Sequence, residues 1–387
     1  MNAGPHAVAP SVVPLVDLGV VNGPLEEEFV AAFRSVFAES DFGHGPAVDR
    51  FESELAELVG VEHALGVNSG TAALELALRA AAIGPGDEVI LPANSFFATG
   101  EAVANVGADV VLVDPDLDSA IASPETVRAH VGPRTAAIIG VHLYGQPVDA
   151  DGYRAIARAN GLLFLEDAAQ ALGANWNHAS VGSLGGAAAF SFYPTKNLGA
   201  LGQAGAITTN DATLARNVRL LRSHGEERRY VHERPGFNER LHGMQAAFLS
   251  VKLRHLPSAQ RARSDAALAY GELLVDVPDC TRLAERGEAA CAHHLMVVRV
   301  PRRDAVLAAM HRAGVMAAIH YPIPIHMQPA ATGWAAPGSL PNAEQLAAEV
   351  LSLPFYPGIR ADQVERSVDA LRLAIKSATG SLAGAVQ

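Results

Sequence analysis

The chain has 387 residues, of which 49% are hydrophobic and 18% charged, so it can form one large domain or two of ordinary size. Its net charge of −12 argues against nucleic acid as the main partner, although a small anion could still bind in a local basic pocket. No apolar run reaches the roughly 20 residues that a bilayer requires, Met1–Val16 lacks the basic start of a signal peptide, and two cysteines predict free thiols. We therefore expect a soluble cytoplasmic protein that binds neither membrane nor nucleic acid.

The first two thirds of the sequence alternate between predicted helices and strands. Residues 24–38 predict a helix with Phe29, Phe33 and Phe37 on one face, and residues 46–59 predict a second amphipathic helix. Further strands are predicted at 64–67, 88–91, 110–113, 136–142, 162–166, 187–192 and 204–209. Further helices are predicted at 71–81, 98–106, 124–130, 151–160 and 211–223. This alternation is typical of a parallel sheet with helices on both faces and ligands at the carboxyl ends of its strands.

The last third of the sequence predicts a smaller α/β domain. A helical stretch over 244–274, interrupted at Pro257, leads away from the sheet. Beyond it we predict strands at 294–300 and 315–320 and helices at 304–313, 342–351 and 362–374. We place a large cofactor-binding domain at 1–250 and a small domain at 251–387.

One lysine follows a buried strand and precedes a glycine-rich loop. Tyr193-Pro194 ends the strand, and glycines at 199, 202 and 205 follow Lys196. Most lysines are solvated surface cations. Among apolar neighbours, however, a lysine loses its charge more readily, and a neutral amine is a nucleophile toward carbonyls. We therefore interpret Lys196 as the residue that forms a Schiff base.

Three other strand ends carry residues that such a lysine needs. Asp167, after apolar residues 162–165, is either a helix N-cap or the partner of a pyridine nitrogen, with Gln170 reaching the ring's phenolic oxygen. Gly70 and Thr71 begin a predicted helix. Its start is either an ordinary capped helix end or a binding site for a phosphate group, to which Ser191 would add a hydroxyl.

Phe96 and Phe97 follow the strand at 88–91, and we expect one in the core and the other stacked on a planar cofactor. Together the four strand ends predict a pyridoxal phosphate site. His142, His293 and His294 show no ligand geometry, and no metal site is expected.

These motifs resemble the sugar aminotransferases of the DegT/DnrJ/EryC/StrS group over nearly the whole chain, from residue 15 to 371. The similarity lies at 69–74, 166–174, 190–199, 221–225, 236–240 and 245–247. It implies the architecture of fold type I transferases, an α/β class with a large α/β/α domain, a mostly parallel sheet and a smaller C-terminal α/β domain.

The resemblance also implies residue roles. Lys196 would hold pyridoxal 5′-phosphate as the internal aldimine and act as base, and Asp167 would pair with the pyridine nitrogen. The remaining cofactor contacts would be Gln170 at the phenolic oxygen, Phe96 on the ring, and Gly70, Thr71 and Ser191 at the phosphate. Asn238 matches an asparagine that reaches the phosphate from the neighbouring subunit, which implies a homodimer with shared active sites. Relatives that dehydrate sugars have His at the lysine position, so Lys196 argues against that activity.

The substrate is predicted from three further stretches. Residues 141–149, 225–236 and 319–329 resemble enzymes that aminate 3-keto-6-deoxyhexoses on dTDP, with L-glutamate as the family's usual donor. The candidate substrate contacts are Arg229, Tyr230, His320, Tyr321 and His326. Residues 319–329 could instead form a proline-rich loop that only braces the small domain.

Two departures from the family pattern concern the substrate. Gln203 replaces a common Asp, and His242-Gly243 replaces a common acidic pair, both outside the cofactor motifs. Amination at carbon 4, a keto-cyclitol substrate and a non-catalytic nucleotide-binding regulator therefore stay open as alternatives.

Overall fold

We describe the protein from a computed structural model for residues 12–40 and 42–380. Most of the segment Met1–Val16, for which no signal peptide is expected, lies outside these residues. The α-helices in this part of the chain are α1 (Leu18–Asn22), α2 (Glu26–Glu39), α3 (Pro46–Val59), α4 (Gly70–Ala80), α5 (Ala98–Val106), α6 (Pro124–Arg128), α7 (Ala150–Asn160), α8 (Ala212–Leu221), α9 (Gly243–Leu274), α10 (Arg303–Arg312), α11 (Pro341–Glu349) and α12 (Ala361–Gly380). The strands are β1 (His63–Val67), β2 (Glu88–Pro92), β3 (Asp109–Val113), β4 (Thr135–Val141), β5 (Leu163–Asp167), β6 (Asn175–Trp176), β7 (Ala179–Ser180), β8 (Ala187–Ser191), β9 (Gly205–Thr209), β10 (Glu226–Arg228), β11 (Val231–His232), β12 (Thr281–Arg282), β13 (Ala289–Ala290), β14 (Met296–Arg299) and β15 (Val350–Leu353).

A seven-stranded sheet dominates the fold. Its strand order is β1-β9-β8-β5-β4-β2-β3, and only β9 runs antiparallel to its neighbours. The strands are buried because helices cover the sheet, as the near-continuous apolar runs of β2, β4 and β8 require. The predicted α/β class with a mostly parallel sheet is confirmed.

Helix α4 shows how local sequence places a helix start beside the sheet. Ser69 is extended, and its Oγ accepts a hydrogen bond from the backbone N–H of Ala72 at 3.1 Å, which caps the helix. The apolar side chains of α4, including Leu74 and Leu78, are buried against the sheet. The first turn of α4 therefore sits directly at the carboxyl end of β1.

A second apolar cluster lies beyond the sheet. It joins the far half of α9 to α10, α12 and the small sheet β12-β14-β15, with Tyr270, Met310 and Leu371 fully buried. Val13 also packs here and bridges to Val315. Because α9 belongs to both clusters, the division at residue 250 stays a prediction.

Helix α9 runs through Pro257 without a break, so the predicted interruption is wrong. Proline has no N–H, which leaves the carbonyl four residues earlier without its usual donor. Packing offsets that cost, since Leu249, Leu253 and Leu256 on the same helix are buried in the main core and α9 packs against α2 and α3.

Two predictions near the C-terminus are also wrong. Residues 315–320 make only isolated bridges, from Val315 to Val13 and from Ala318 to Ser352, instead of a strand. The helix predicted over 342–351 ends at Glu349, and the next four residues form β15, which pairs with β14. In both cases a distant pairing partner decides the structure, and local pattern does not identify it.

In the described part of the chain, no helix is long and apolar enough to cross a membrane. Among the same residues, no group of three or more His, Cys, Asp or Glu side chains could hold a metal ion. The cytoplasmic location stays a prediction.

Candidate active site

A cavity of about 360 Å³ opens at the carboxyl ends of β1, β2, β4, β5 and β8. Parallel strands bring their carboxyl ends to one edge, so segments far apart in sequence meet there. Nine of the predicted site residues line it: Gly70, Thr71, Phe96, Asp167, Gln170, Ser191, Lys196, His320 and Tyr321. Their roles remain proposals, which are developed below.

Lys196 lies just beyond β8, where the chain turns. Its backbone N–H donates to the carbonyl of Tyr193 at 2.8 Å, which closes the turn and holds the lysine at the cavity. Burial lowers the pKa of Lys196 to about 8, and the nearby carboxyl of Asp167 opposes this shift. Near neutral pH, the neutral fraction of this amine is therefore much larger than that of an ordinary lysine, as a nucleophile or base requires.

Asp167 ends β5 and faces the same cavity. It caps no helix: its Oδ1 accepts the N–H of Ala169 at 3.2 Å, and its Oδ2 accepts the hydroxyl of Thr99 at 2.8 Å. Ser95 lies 2.7 Å from the Thr99 hydroxyl and extends this buried network. Burial raises the pKa of Asp167, while these hydrogen bonds and the charge of Lys196 act in the opposite direction. A positively charged ring nitrogen of a bound cofactor, placed beside Asp167, would likewise offset the cost of burying the charged carboxylate.

The adjacent acid, Glu166, has a different environment. It is fully buried behind the strand, where its two oxygens accept the N–H groups of Gly182, Leu184 and Gly185 at 2.8–2.9 Å. His142 Nδ1 accepts from the N–H of Val148 at 3.1 Å, so the ring's proton is on Nε2 and is donated to Glu166 at 3.0 Å. Glu166 thus accepts hydrogen bonds from four donors and does not line the cavity, so we assign it a structural role.

The start of α4 and the end of β8 form a close cradle. A Cβ added at Gly70 would lie 2.7 Å from the Cβ of Ser191, and one added at Gly205 would lie 2.4 Å from the carbonyl oxygen of Ser69. Only glycine permits this approach. The free N–H groups of the helix start and the hydroxyls of Thr71 and Ser191 suit a phosphate group.

The opposite wall carries an aromatic and amide cluster. Gln170 accepts the N–H of Tyr144 at 2.6 Å and donates to the hydroxyl of Tyr321 at 3.1 Å. Phe96 lies in the cavity with its ring centroid 5.3 Å from that of Tyr321, whereas Phe97 turns away and stacks on Trp334. Phe96 therefore faces the cavity and Phe97 packs elsewhere, while the stacking of Phe96 on a cofactor stays a prediction.

Four predicted residues do not line the cavity of their own chain. Asn238 contacts Arg240 at 2.6 Å, and Arg229 packs over the exposed ring of Tyr230 at the β10–β11 hairpin. His326 is buried and its Nε2 lies 3.0 Å from Glu344. Since His326 does not line the cavity, its predicted contact with the substrate is not supported.

Sequence reasoning missed several residues that line the cavity. His294, left without a role, shares a hydrogen bond of 3.0 Å with Asn197, whose amide already donates to Ala292. His294 Nδ1 must therefore donate, which leaves Nε2 free as an acceptor. Gln203, which the sequence places outside the cofactor motifs, lines the cavity, and Thr99 donates a hydrogen bond to Asp167. No pattern in the sequence distinguishes these residues from ordinary core and loop residues.

Residues 24–372 match the DegT/DnrJ/EryC1/StrS aminotransferase family. The chain belongs to this family. Its relatives include the erythromycin biosynthesis sensory transduction protein EryC1 of Saccharopolyspora erythraea, 45% identical over 93% of this chain and 99% of the relative. A second is the dTDP-3-amino-3,4,6-trideoxy-alpha-D-glucose transaminase of Streptomyces venezuelae, 42% identical over 93% and 95%.

A solved structure of S. venezuelae DesV with a ketimine intermediate superposes on this chain with a TM-score of 0.92, at 42% identity over 94% of this chain and 98% of that one. The predicted family, fold and sugar aminotransferase activity are therefore confirmed. Aminotransferases of the DegT/DnrJ/EryC1/StrS family use pyridoxal 5′-phosphate. The glycine cradle, the buried carboxylate and the lysine fit this cofactor.

Proposed function

We propose that this family member transfers the amino group of L-glutamate to a dTDP-linked 3-keto-6-deoxyhexose. The observation that carries the chemistry is a single cavity that contains the Lys196 amine, the Asp167 carboxylate and the cradle at Gly70 and Ser191. When bound, pyridoxal phosphate supplies an aldehyde that accepts an amino group and a ring that withdraws electrons.

The chain's own residues would hold that cofactor at both ends. Gly70, Thr71 and Ser191 bind its phosphate, and Phe96 covers the ring face. Asp167, oriented by Thr99, holds a proton at the ring nitrogen, which keeps the ring an electron acceptor. Gln170 is positioned by the Tyr144 N–H, so that its amide N–H can donate to the phenolic oxygen.

Lys196 then moves the proton. Its lowered pKa allows the Nζ to accept a proton from the substrate carbon and return it as the ammonium, first as base and then as acid. His320 and Tyr321 face the same space and are placed to contact the hexose. Burial lowers the pKa of His320 to about 4, so its ring is neutral at physiological pH and offers hydrogen bonds rather than charge.

The assignment of carbon 3 is supported by the S. venezuelae relative, which is named for a dTDP-3-amino sugar. Residues 141–149 and 319–329 support it too, since His142, His320 and Tyr321 within them line the cavity. Amination at carbon 4 or of a keto-cyclitol is the alternative within the same chemistry. Arg229 and Tyr230 would meet the nucleotide only from a neighbouring subunit.

We also propose a homodimer, with Asn238 of each chain completing the other's phosphate site. Two features support it. Asn238 does not line the cavity of its own chain, and the rings of Phe33, Phe37 and Phe42 are exposed, with Phe33 stacked on Phe37 and Phe42 edge-on to Phe37. Light scattering should give twice the chain mass of 40.4 kDa. A monodisperse monomer that remains active would contradict shared sites.

The substrate proposal is tested by incubating the purified protein with L-glutamate and either the 3-keto or the 4-keto isomer of the dTDP-6-deoxyhexose. Mass spectrometry should detect the amino sugar and 2-oxoglutarate only with the 3-keto isomer. Product from the 4-keto isomer alone would refute carbon 3 and keep the aminotransferase. No product from any sugar, together with tight nucleotide binding, would favour a regulator, which the name of the S. erythraea relative suggests for that protein.

A further inference from the structure

A second cavity, of about 300 Å³, lies on the other side of the lysine loop. The first helix of the chain, the middle of α9 and residues 194–197 enclose it, so Lys196 lines both cavities. Most of its wall is apolar. Besides Lys196, two cations interrupt that wall, Lys252 and Arg263, both on α9 and both more than nine-tenths buried.

Neither cation has an acidic partner. Within the described residues, no carboxylate lies within 4.0 Å of Lys252 or Arg263, whereas other buried cations such as Arg222 have one. Lys252 Nζ contacts only the amide oxygen of Asn22, at 3.0 Å. Among the described residues no aspartate or glutamate lines this cavity.

Arg263 is also incompletely satisfied. Its Nη1 donates to the carbonyls of His293 and His294, each at 3.2 Å, and its guanidinium lies over the ring of Phe355. Its Nε is buried and has no hydrogen-bond partner. Since a buried charge without a counter-ion is costly, an anion in this cavity would be favoured by the charge of Arg263.

The two charges also act on each other. The charge of Arg263 adds to burial in lowering the pKa of Lys252, to about 8. Lys252 can relieve this repulsion by losing its proton, but Arg263 cannot, because the arginine guanidinium stays protonated in proteins. A small anion in this cavity would supply the counter-ion that both cations lack.

We propose that this second cavity binds a small oxyanion, a phosphate or a carboxylate, as the counter-ion of Lys252 and Arg263. The site goes beyond the proposed aminotransfer, because the side chains proposed to attract the anion, Lys252 and Arg263, do not line the cofactor cavity. An anion there lies beside the 194–197 segment and stabilises the turn that presents Lys196. The occupant is small, since apolar side chains such as Leu256 and Pro24 occupy the rest of the wall.

The test is thermal unfolding of the purified protein in rising sodium phosphate, with sodium chloride keeping the ionic strength constant. A site that binds only the folded state gives a saturable rise in Tm of a few degrees. Lys252→Met and Lys252→Gln should weaken the apparent phosphate affinity at least about tenfold, as the loss of one charge-assisted hydrogen bond implies. Lys376→Met, at an exposed lysine of α12, should leave it unchanged. Far-UV circular dichroism verifies that each variant folds.

Two further arms identify the ligand and the site. Succinate replaces phosphate in one arm, and saturation by succinate alone assigns the site to carboxylates. The second arm uses protein reduced with borohydride, in which a covalently held cofactor already fills the phosphate cradle. The proposal is overturned if phosphate no longer raises the Tm of the reduced protein. It is also overturned if the Tm rises linearly with phosphate concentration and by the same amount in all the variants. The proposed aminotransferase is unaffected by either result, because its own assay is product formation.

Discussion

Glu166→Gln should destabilise the protein severely, although Glu166 lies next to the proposed catalytic Asp167. One oxygen of Glu166 accepts the N–H groups of Leu184 and Gly185, and the other accepts those of Gly182 and the His142 ring. Glutamine replaces one oxygen with NH₂. Whichever way its amide turns, that NH₂ faces two donors in a fully buried site.

The size of the effect follows from that count. Two charge-assisted hydrogen bonds are lost, each worth about 1.5–3 kcal/mol, so the free energy of unfolding should fall by about 3–6 kcal/mol. Urea unfolding followed by circular dichroism measures this as a lower midpoint at an unchanged slope. Glu57→Gln, at an exposed position of α3, is the matched control and should shift the free energy by less than about 0.5 kcal/mol.

A loss below about 1 kcal/mol for Glu166→Gln would refute the assignment of Glu166 as a structural carboxylate. At urea concentrations below its lowered unfolding midpoint, the variant should still react with pyridoxal phosphate, because Glu166 does not line the cavity. Loss of cofactor binding in a fully folded variant would also contradict this assignment.

Three further changes act at the cavity itself. Asp167→Asn should keep the fold and lower kcat by at least about 100-fold, since the ring nitrogen loses its anionic partner; an unchanged kcat in steady-state kinetics would remove Asp167 from the mechanism. Gly70→Ala should weaken cofactor binding at least about tenfold in a spectroscopic titration, because its Cβ would meet Ser191 at 2.7 Å; equal affinity would place the phosphate elsewhere. In cofactor-free protein, acetylation of Lys196 should rise as the pH passes about 8, since the amine is protonated below that pH; a midpoint near 10.4, about that of a free lysine, would contradict the effect of burial.

The sheet could be predicted because each of its elements carries its own pattern. Apolar runs such as β4 and the capped start of α4 identify themselves within a few residues. The predictions that failed concern segments whose secondary structure depends on contacts with residues distant in the sequence. Residues 350–353 are a strand only because β14 lies beside them, and α9 continues through Pro257 only because its neighbours bury it.

The site was predictable in part for a related reason. Glycines, a lysine and an acid at strand ends mark a ligand site from sequence alone. Which of two neighbouring acids faces the ligand depends on which side of β5 the cavity lies, and alternation along a strand does not tell that. The roles of Thr99 and His294 depend on contacts across the fold, with Asp167 and Asn197, that no local pattern contains.

Borohydride reduction followed by peptide mapping tests the central claim most directly. The chain has three lysines, Lys196, Lys252 and Lys376, so the attachment site can be assigned without ambiguity. Purified protein should be yellow, lose its colour on reduction, and carry one pyridoxyl group per chain on the Lys196 peptide. A label on Lys252 or Lys376 instead, or no label on folded protein saturated with pyridoxal phosphate, would contradict the assignment of Lys196 as the cofactor-binding amine.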